Sequence, residues 1–165
     1  DLPALVAAFD RLAVDHPGLR LVLAGPDGIG TAQLVQAIDA TVHRDAIVRL
    51  GWVGDDDRNA LLRGASVVAY ASRYEGFGLG PLEAMASGTP VVACDTSSIP
   101  EVTGDAAYLV GTTDSKAMGG AILGLLMQPE HARQIANRGL ARSREFSWRK
   151  TAEGTLAAYE KALAR

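Results

Sequence analysis

The amino-acid sequence predicts an α/β domain in which a parallel sheet lies between two layers of helices. Amphipathic helical patterns alternate with short apolar runs, and the chain ends in helical patterns alone. The short runs are mostly apolar throughout, which is typical of strands covered on both faces. Glycine is abundant, with 18 residues, and aromatic residues make up 5%, a composition that suits close packing of helices on strands. Sheets of this type bind ligands at the carboxyl ends of their strands.

Length, charge and cysteine content restrict the class of protein. A chain of 165 residues is expected to form one domain with one sizeable core. The net charge of −3 provides no basic face, so we expect no nucleic-acid partner. Cys94 is the only cysteine, which excludes an internal disulfide and a thiolate metal cluster and fits a cytoplasmic location. No apolar run approaches the roughly 20 residues of a membrane helix.

The first third of the chain alternates helical and strand-like patterns. It predicts, in order, helix 2–13, strand 19–24, helix 31–43 and strand 47–50. The loop at 25–30 is rich in glycine, but Gln33 stands where a dinucleotide-binding fingerprint has its third glycine. We therefore interpret this loop as a turn, with contact to a ligand as the less favoured alternative.

Three consecutive aspartates, Asp55 to Asp57, open the next helical pattern. Adjacent side chains on a helix point in different directions and do not converge on one metal ion, whereas acids at a helix start stabilise its dipole. We therefore expect these residues to cap the helix. A buried strand at 67–71 is predicted after it.

The second half of the chain predicts strand 90–94, a short edge strand at 107–110 and terminal helices from residue 114 onward. Ser98 and Glu101 have the S-x-x-E spacing of a capping box. The last helix carries an apolar stripe with helical spacing, formed by Trp148, Ala152, Leu156, Tyr159 and Leu163. Such a stripe predicts a face packed on the core.

A glycine-rich loop at 72–80 joins the strand at 67–71 to a short helix. Gly76, Gly78 and Gly80 permit tight turns, and Pro81 suits the first helical position, where no N–H is needed and φ is already helical. Backbone N–H groups that converge at a helix N-terminus hold anions. The loop therefore predicts a phosphate site.

Two carboxylates flank this loop in the pattern E-x7-E, Glu75 before the glycines and Glu83 in the predicted first turn of the helix. A carboxylate repels phosphate but accepts hydrogen bonds from hydroxyl groups. A ligand with a phosphate core and hydroxyls on both sides is a nucleoside-diphosphate sugar. Glu83 has a structural alternative, because an acid in a first turn favours the helix dipole by ~0.5 kcal/mol without any ligand. Glu75 has no comparable role in folding.

The loop and the residues after it resemble a known family. Residues 75–83 read E-G-F-G-L-G-P-L-E, followed by G-T-P-V-V-A at 88–93 and P-E-V at 100–102. This combination resembles the donor-binding, C-terminal half of retaining glycosyltransferases with the GT-B fold, of the family-4 type. The resemblance implies a Rossmann-like three-layer domain, one half of a GT-B fold, with residues 1–165 as the nucleotide-sugar donor-binding domain of a hexosyltransferase.

The resemblance also implies a role for individual side chains. Glu75 would contact the donor sugar as the catalytic residue and stabilise positive charge at the anomeric carbon. Glu83 would hold the ribose hydroxyls. Gly51 and Trp52 match the segment that borders the nucleobase, although Trp52 also suits a packed core position.

The same resemblance implies that the backbone of the loop binds substrate. The amides of the segment Gly76, Phe77, Gly78 and Leu79 would face the diphosphate and the sugar. They would stabilise the leaving group by fixed dipoles, without a metal or another cofactor.

The sequence departs from the family pattern in two places. The family's donor domain opens with a strand and a loop whose arginine and lysine clamp the diphosphate, but this chain is already helical from Leu2. Ser97 and Ser98 stand where many relatives have two glycines. We therefore expect an excised domain, inactive alone, that lacks its first strand and the N-terminal acceptor domain. The missing domain would bind the glycan or lipid acceptor and provide any contact with the inner face of a membrane.

Two other functions remain open from the sequence. A non-catalytic module of the same fold would bind a nucleotide or phosphorylated ligand for regulation or assembly. A relative of nucleotide-sugar epimerases or of glycogen phosphorylase would share the fold, but no segment here resembles the pyridoxal-phosphate lysine site of the phosphorylase.

Overall fold

The computed structural model describes residues 1–112 and 114–164, which form five strands, eight α-helices and one short 3₁₀ helix, Arg44–Ala46. The strands are β1 Leu21–Ala24, β2 Ile47–Gly51, β3 Val68–Tyr70, β4 Val91–Cys94 and β5 Tyr108–Val110. The helices are α1 Leu2–Ala13, α2 Thr31–Ala40, α3 Asp55–Gly64, α4 Leu79–Ala86, α5 Ile99–Thr103, α6 Ser115–Met127, α7 Pro129–Ser143 and α8 Trp148–Leu163. All five predicted strands are present, and their ends differ from the prediction by at most two residues.

The fully buried strand β4 organises the fold. It pairs in parallel with β3 on one side, where Val68 lies opposite Val91, and with β5 on the other, where Val92 lies opposite Tyr108. Alternate side chains of β4 enter different cores. Val92 and Cys94 pack with residues of α1 and α6, whereas Val91 and Ala93 pack with residues of α4 and α5. Helices therefore cover both faces of a parallel sheet, as the sequence predicted.

The sheet is divided into two parts. β1 and β2 pair in parallel as one part, and β3, β4 and β5 form the other. A cavity of about 1070 Å³ lies between the parts, with Leu21 on the β1 side, Val68 on the β3 side and Leu5 of α1 among its lining residues. Because β3 borders this cavity, its residues are half buried rather than fully buried as predicted.

The start of α1 lies beside the end of β3. The Asp1 side chain accepts a hydrogen bond from the Ala4 N–H over 3.2 Å and caps the helix. The terminal amine of Asp1 donates to the carbonyl of Ala71, directly after β3. The chain therefore enters α1 at the carboxyl edge of the sheet.

The apolar stripe of α8 does not pack on the core. Trp148 is 82% exposed and Leu163 is 87% exposed, and no residue of α8 is buried. The prediction of a packed face was wrong, because periodicity identifies an apolar face but not what covers it. None of the described helices combines the length and the apolarity that a bilayer crossing requires.

Candidate functional site

The helix after the glycine-rich loop begins earlier than the sequence suggested. Gly78 is left-handed, with φ 108°, and Leu79 is the first residue of α4. The first intrahelical bond runs from the Leu82 N–H to the Gly78 carbonyl over 3.3 Å. Pro81 is therefore the third helical residue, where its missing N–H is tolerated because the first amides of a helix have no intrahelical acceptor. Glu83 lies in the second turn, not the first, which weakens the dipole explanation for it.

Two of the three loop glycines, Gly78 and Gly80, occupy positions where a side chain would be strained. A Cβ on Gly80 would come within 2.5 Å of Cε2 of Tyr70, and one on Gly78 would come within 2.8 Å of Cδ1 of Ile99. Gly76 has open space around it. The N-terminus of α4 therefore lies directly against Tyr70 and Ile99, with its first amides free of intrahelical bonds.

Two hydroxyl groups hold the Glu75 carboxylate. Tyr70 Oη donates to Oε1 over 2.9 Å, and Ser72 Oγ donates to the same oxygen over 2.7 Å. Among the described residues, no hydrogen bond reaches Oε2. Burial, together with the bond to Glu75, raises the pKa of Tyr70 to about 12, so the phenol stays protonated and donates at neutral pH. Glu75 is half buried, and only one of its two carboxylate oxygens is hydrogen bonded within residues 1–112 and 114–164.

The segment before α5 holds the backbone of Glu75. Ser97 Oγ accepts from the Glu75 N–H over 2.9 Å, and Ser98 Oγ donates to the Glu75 carbonyl over 3.0 Å. Ser98 occupies the N-cap position of α5 but makes no capping bond with its side chain, and Glu101 is exposed. The predicted capping box was wrong, because the Ser98 hydroxyl bonds to Glu75 instead. Nothing in the sequence indicated that either serine contacts Glu75: Ser98 was assigned to the capping box, and both serines were noted where many relatives have glycine.

The loop is also attached to the segment after α7. The ring of Phe77 packs edge to face on Phe146, with centroids 5.8 Å apart, and the guanidinium of Arg142 lies 4.9 Å from the Phe146 centroid. Phe77 is 42% exposed and Leu79 is 51% exposed. The Phe77 side chain therefore fixes the loop in place. This contact involves the ring and not the backbone amide, which the sequence predicted to face the substrate.

Glu83 forms an ion pair with α3. Its Oε2 lies 3.3 Å from Nε of Arg58, and Arg58 also contacts Asp55 at 3.1 Å. The Arg58 Nε has no aligned hydrogen-bond acceptor among the described residues, so the contact with Glu83 is ionic. Glu83 lines the cavity between the two parts of the sheet together with Tyr70.

The three aspartates of α3 occupy its first turn, as expected for acids at a positive dipole end. The N-cap position itself belongs to Gly54, which has no side chain to cap with. Within residues 1–112 and 114–164, no group of three His, Cys, Asp or Glu side chains is placed to hold a metal ion.

Gly51 and Trp52 lie at the carboxyl end of β2. Gly51 is left-handed, with φ 67°, and its carbonyl accepts from the Gly25 N–H over 2.7 Å. Trp52 is 76% exposed and is not a core residue. Both residues line a second cavity of about 1120 Å³, which Arg73 also lines. The structure thus brings Gly51 and Trp52 to the same edge of the sheet as the Glu75 loop, although Glu75 itself does not line this cavity.

Comparison with known proteins places this geometry in a family. Residues 1–142 match the family described as "Glycosyl transferases group 1". The chain is 42% identical over 166 residues to an "MMP alpha-(1->4)-mannosyltransferase" from Mycolicibacterium hassiacum, covering 98% of this chain and 40% of that protein. It is 40% identical over 141 residues to "O-antigen chain mannosyltransferase B" from Escherichia coli, covering 85% of this chain and 37% of that protein.

Solved structures share the fold. Sucrose-phosphate synthase from Thermosynechococcus elongatus superposes with a TM-score of 0.85 at 27% identity, over 99% of this chain and 42% of that one. HepE from Anabaena, in complex with UDP-glucose, superposes with a TM-score of 0.82 at 22% identity, over 96% of this chain and 44% of that one.

The chain spans about two fifths of the length of these relatives, from 37% of the Escherichia coli protein to 44% of HepE. The three-layer parallel architecture and the resemblance to one half of a GT-B fold are both confirmed. The chain belongs to the glycosyl transferases group 1 family and has the fold of a GT-B glycosyltransferase domain.

Proposed function

We propose that this chain is the donor-binding domain of a retaining glycosyltransferase that moves a hexose from a nucleoside-diphosphate sugar to a glycan or lipid acceptor. One observation carries the proposal: Glu75 precedes the N-terminus of α4, with one carboxylate oxygen held by Tyr70 and Ser72 and the other free. The free oxygen can accept from sugar hydroxyls and stabilise positive charge at the anomeric carbon. The helix end can stabilise the diphosphate leaving group.

We assign the backbone amides from Gly76 to Leu79 to the diphosphate and the sugar. Amides before the first intrahelical bond of α4 are free to bind an anion, and fixed dipoles need no reorganisation during the reaction. HepE, which has the same fold, is known in complex with UDP-glucose, and this supports a nucleotide sugar as the donor class. The retaining stereochemistry is proposed from the resemblance of residues 75–83 to retaining enzymes.

We assign the nucleoside to the carboxyl edge of β1 and β2. Gly51 and Trp52 border the cavity there, and the exposed Trp52 offers an indole that can contact a base. Glu83 is assigned to the ribose hydroxyls. Glu83 contacts Arg58 through an ion pair without an aligned hydrogen bond. The Glu83 carboxylate can therefore still accept hydrogen bonds from hydroxyl groups.

We also propose that a strand preceding Asp1 completes the sheet. In doubly wound sheets the first strand lies in the middle, and later strands are added outward on both sides. An apolar cavity of about 1070 Å³ occupies that middle position here, between β1 and β3. Because α1 starts beside Ala71 at the carboxyl edge, a parallel strand ending just before Asp1 would enter this cavity.

A longer chain tests the missing strand. We expect the residues before Asp1 in the full-length protein to raise the free energy of unfolding and to slow amide hydrogen exchange in β1 and β3. Equal exchange rates with and without those residues would contradict the proposal. The acceptor site and any membrane contact belong, in this proposal, to regions outside the present chain, so the isolated domain is expected to bind donor without transferring sugar.

Glu75→Gln in the full-length protein tests the catalytic assignment. We expect turnover to fall by at least about 100-fold, because one of the preorganised electrostatic groups is lost, while circular dichroism remains unchanged. Glu130→Gln, an exposed glutamate of α7 paired with Arg133, is the matched control and should behave as wild type. Wild-type turnover in Glu75→Gln would remove the proposed role. Calorimetric binding of UDP, GDP or ADP by a full-length protein that turns over no donor would favour a non-catalytic module.

A further inference from the structure

We propose that Ser97 and Ser98 are positioning residues for Glu75, whose hydroxyl groups fix the peptide on both sides of Glu75 and so set where its free carboxylate oxygen points. The inference rests on the proposed function, because it describes how the proposed catalytic residue is held. Both serines act through Glu75 and need not contact the donor.

Three side-chain hydrogen bonds join residues 96–98 to residues 73–75. Thr96 Oγ1 donates to the Arg73 carbonyl over 3.0 Å, Ser97 Oγ accepts from the Glu75 N–H over 2.9 Å, and Ser98 Oγ donates to the Glu75 carbonyl over 3.0 Å. Three consecutive hydroxyl side chains thus bond to the backbone of residues 73–75. Both polar backbone groups of Glu75 are satisfied by side chains rather than by regular secondary structure.

The backbone conformation of Ser97 indicates that these hydrogen bonds are not a by-product of packing. Ser97 is the one non-glycine residue with a positive φ, 46°, among residues 1–112 and 114–164. An L-residue pays a conformational penalty there that glycine avoids, and such strain persists where the surrounding structure imposes it. Ser97 is also exposed, so burial does not require it. The contact that the serine provides and glycine would lack is the bond to the Glu75 N–H.

Fixing the backbone completes the restraint on the carboxylate. Tyr70 and Ser72 already hold Oε1, so the position of Oε2 depends on where the Cα of Glu75 lies. A displacement of about 1 Å in a reacting group can lower a rate by 10²-fold, whereas binding of the rest of the substrate is little changed. A positioning role therefore predicts a loss in kcat with little change in the KM for donor.

The test uses the full-length protein with Ser97→Gly, Ser98→Ala and Ser98→Thr. Release of the nucleoside diphosphate is followed with a panel of UDP-, GDP- and ADP-hexoses, including UDP-glucose and GDP-mannose. We expect Ser97→Gly and Ser98→Ala to lower kcat by about five- to tenfold, as for loss of one positioning hydrogen bond, with the donor KM within about twofold. Ser98→Thr, which keeps the hydroxyl, should restore kcat.

The melting temperatures of the serine variants distinguish a positioning role from a merely structural one. Ser97→Gly is expected to keep or raise the melting temperature because it removes the left-handed penalty, so activity and stability should not fall together. The matched control is Ser143→Ala, which removes a serine hydroxyl that donates to the Leu140 carbonyl over 3.0 Å in α7. It should leave kcat unchanged.

The outcomes distinguish this inference from the function on which it rests. If no donor in the panel is turned over, or if Glu75→Gln has wild-type activity, the proposed function fails and the positioning inference fails with it. If Glu75→Gln is inactive while Ser97→Gly and Ser98→Ala keep the wild-type kcat, only the positioning inference is overturned. A parallel fall in kcat and melting temperature for both serine variants would also overturn it.

Discussion

Tyr70 lies under Gly80, where a Cβ would come within 2.5 Å of its ring, and the hydroxyl of the same side chain donates to Glu75 over 2.9 Å. One aromatic residue at the end of β3 therefore supports the N-terminus of α4 and orients the carboxylate in front of it. The N-terminus of α4, which is the proposed anion site, and the acid beside it are fixed relative to each other by this side chain. Changes at Gly80 should for this reason disturb both.

Gly80→Ala is expected to destabilise the domain. The new methyl group would overlap the Tyr70 ring, and overpacking of this kind costs about 1–3 kcal/mol. Chemical denaturation followed by circular dichroism measures the loss. Gly76→Ala is the matched control, because a Cβ there meets open space, and its free energy of unfolding should differ from wild type by less than ~0.5 kcal/mol. Equal stabilities of the two variants would contradict the close approach.

Tyr70→Phe should change how stability depends on alkaline pH. Burial and the bond to Glu75 raise the pKa of Tyr70 to about 12 from its ordinary value of 10.0, so the unfolded chain loses this proton first. The linked stability is fully present below pH ~10 and is lost as the pH rises toward 12. After allowance for partial exposure, we expect about 1–2 kcal/mol.

Urea denaturation between pH 9 and about 11.5 compares the two proteins. The free energy of unfolding of wild type should fall more steeply with pH than that of Tyr70→Phe, which keeps the ring under Gly80 but has no proton to lose. Parallel slopes would mean that the phenol does not carry the raised pKa.

Asp10→Asn should reduce stability at neutral pH but not in acid. The Thr41 hydroxyl and His43, whose Nδ1 lies 2.8 Å from Oδ1, lower the pKa of Asp10 below its usual value. The stability that this provides is present above pH ~4 and is lost as the pH falls through the lowered pKa. The difference in the free energy of unfolding between variant and wild type, below ~1 kcal/mol because the Asp10 carboxylate is partly exposed, should therefore narrow as the pH falls below about 4. Asp39→Asn, on the exposed side of α2, should show no such gap.

Replacing a leucine by alanine should lower the free energy of unfolding on α6 but not on α8. Leu125 is 2% exposed, and Leu125→Ala is expected to cost about 2–5 kcal/mol of unfolding free energy. Leu156 is 58% exposed, and Leu156→Ala should change the value by less than ~0.5 kcal/mol in the isolated domain. Thermal or urea denaturation compares them. A large loss from Leu156→Ala would show that α8 packs on the domain in solution.

The parts of the fold that the sequence predicted are those with a local signal. Each strand is a short apolar run, and parallel pairing puts the carboxyl ends of all strands on one edge, where the loop at Glu75 and the turn at Gly51 lie. The start of α4 was misplaced because proline is tolerated at any of the first helical positions, so Pro81 did not identify the first one.

The parts that were missed depend on contacts between distant segments. Ser98 fitted a capping pattern within its own helix, Ser97 was noted only where relatives have glycine, and no spacing rule connects either serine to Glu75, 22 and 23 residues earlier. The sequence also did not predict that the sheet is divided into two parts, because an apolar run indicates a strand but not the strands with which it pairs. The stripe on α8 had the period of a buried face, yet Trp148 and Leu163 are exposed.

The reactivity of Cys94, the one thiol of the chain, depends on whether β4 stays packed against α1 and α6. Cys94 ends β4 with 1% of its surface exposed, and burial raises the pKa of the thiol. A thiolate-specific reagent therefore reacts with native protein only when β4 separates from α1 and α6, so labelling kinetics would record the frequency of that opening. Variants and bound nucleotides could be ranked by this natural probe without attaching any dye beforehand.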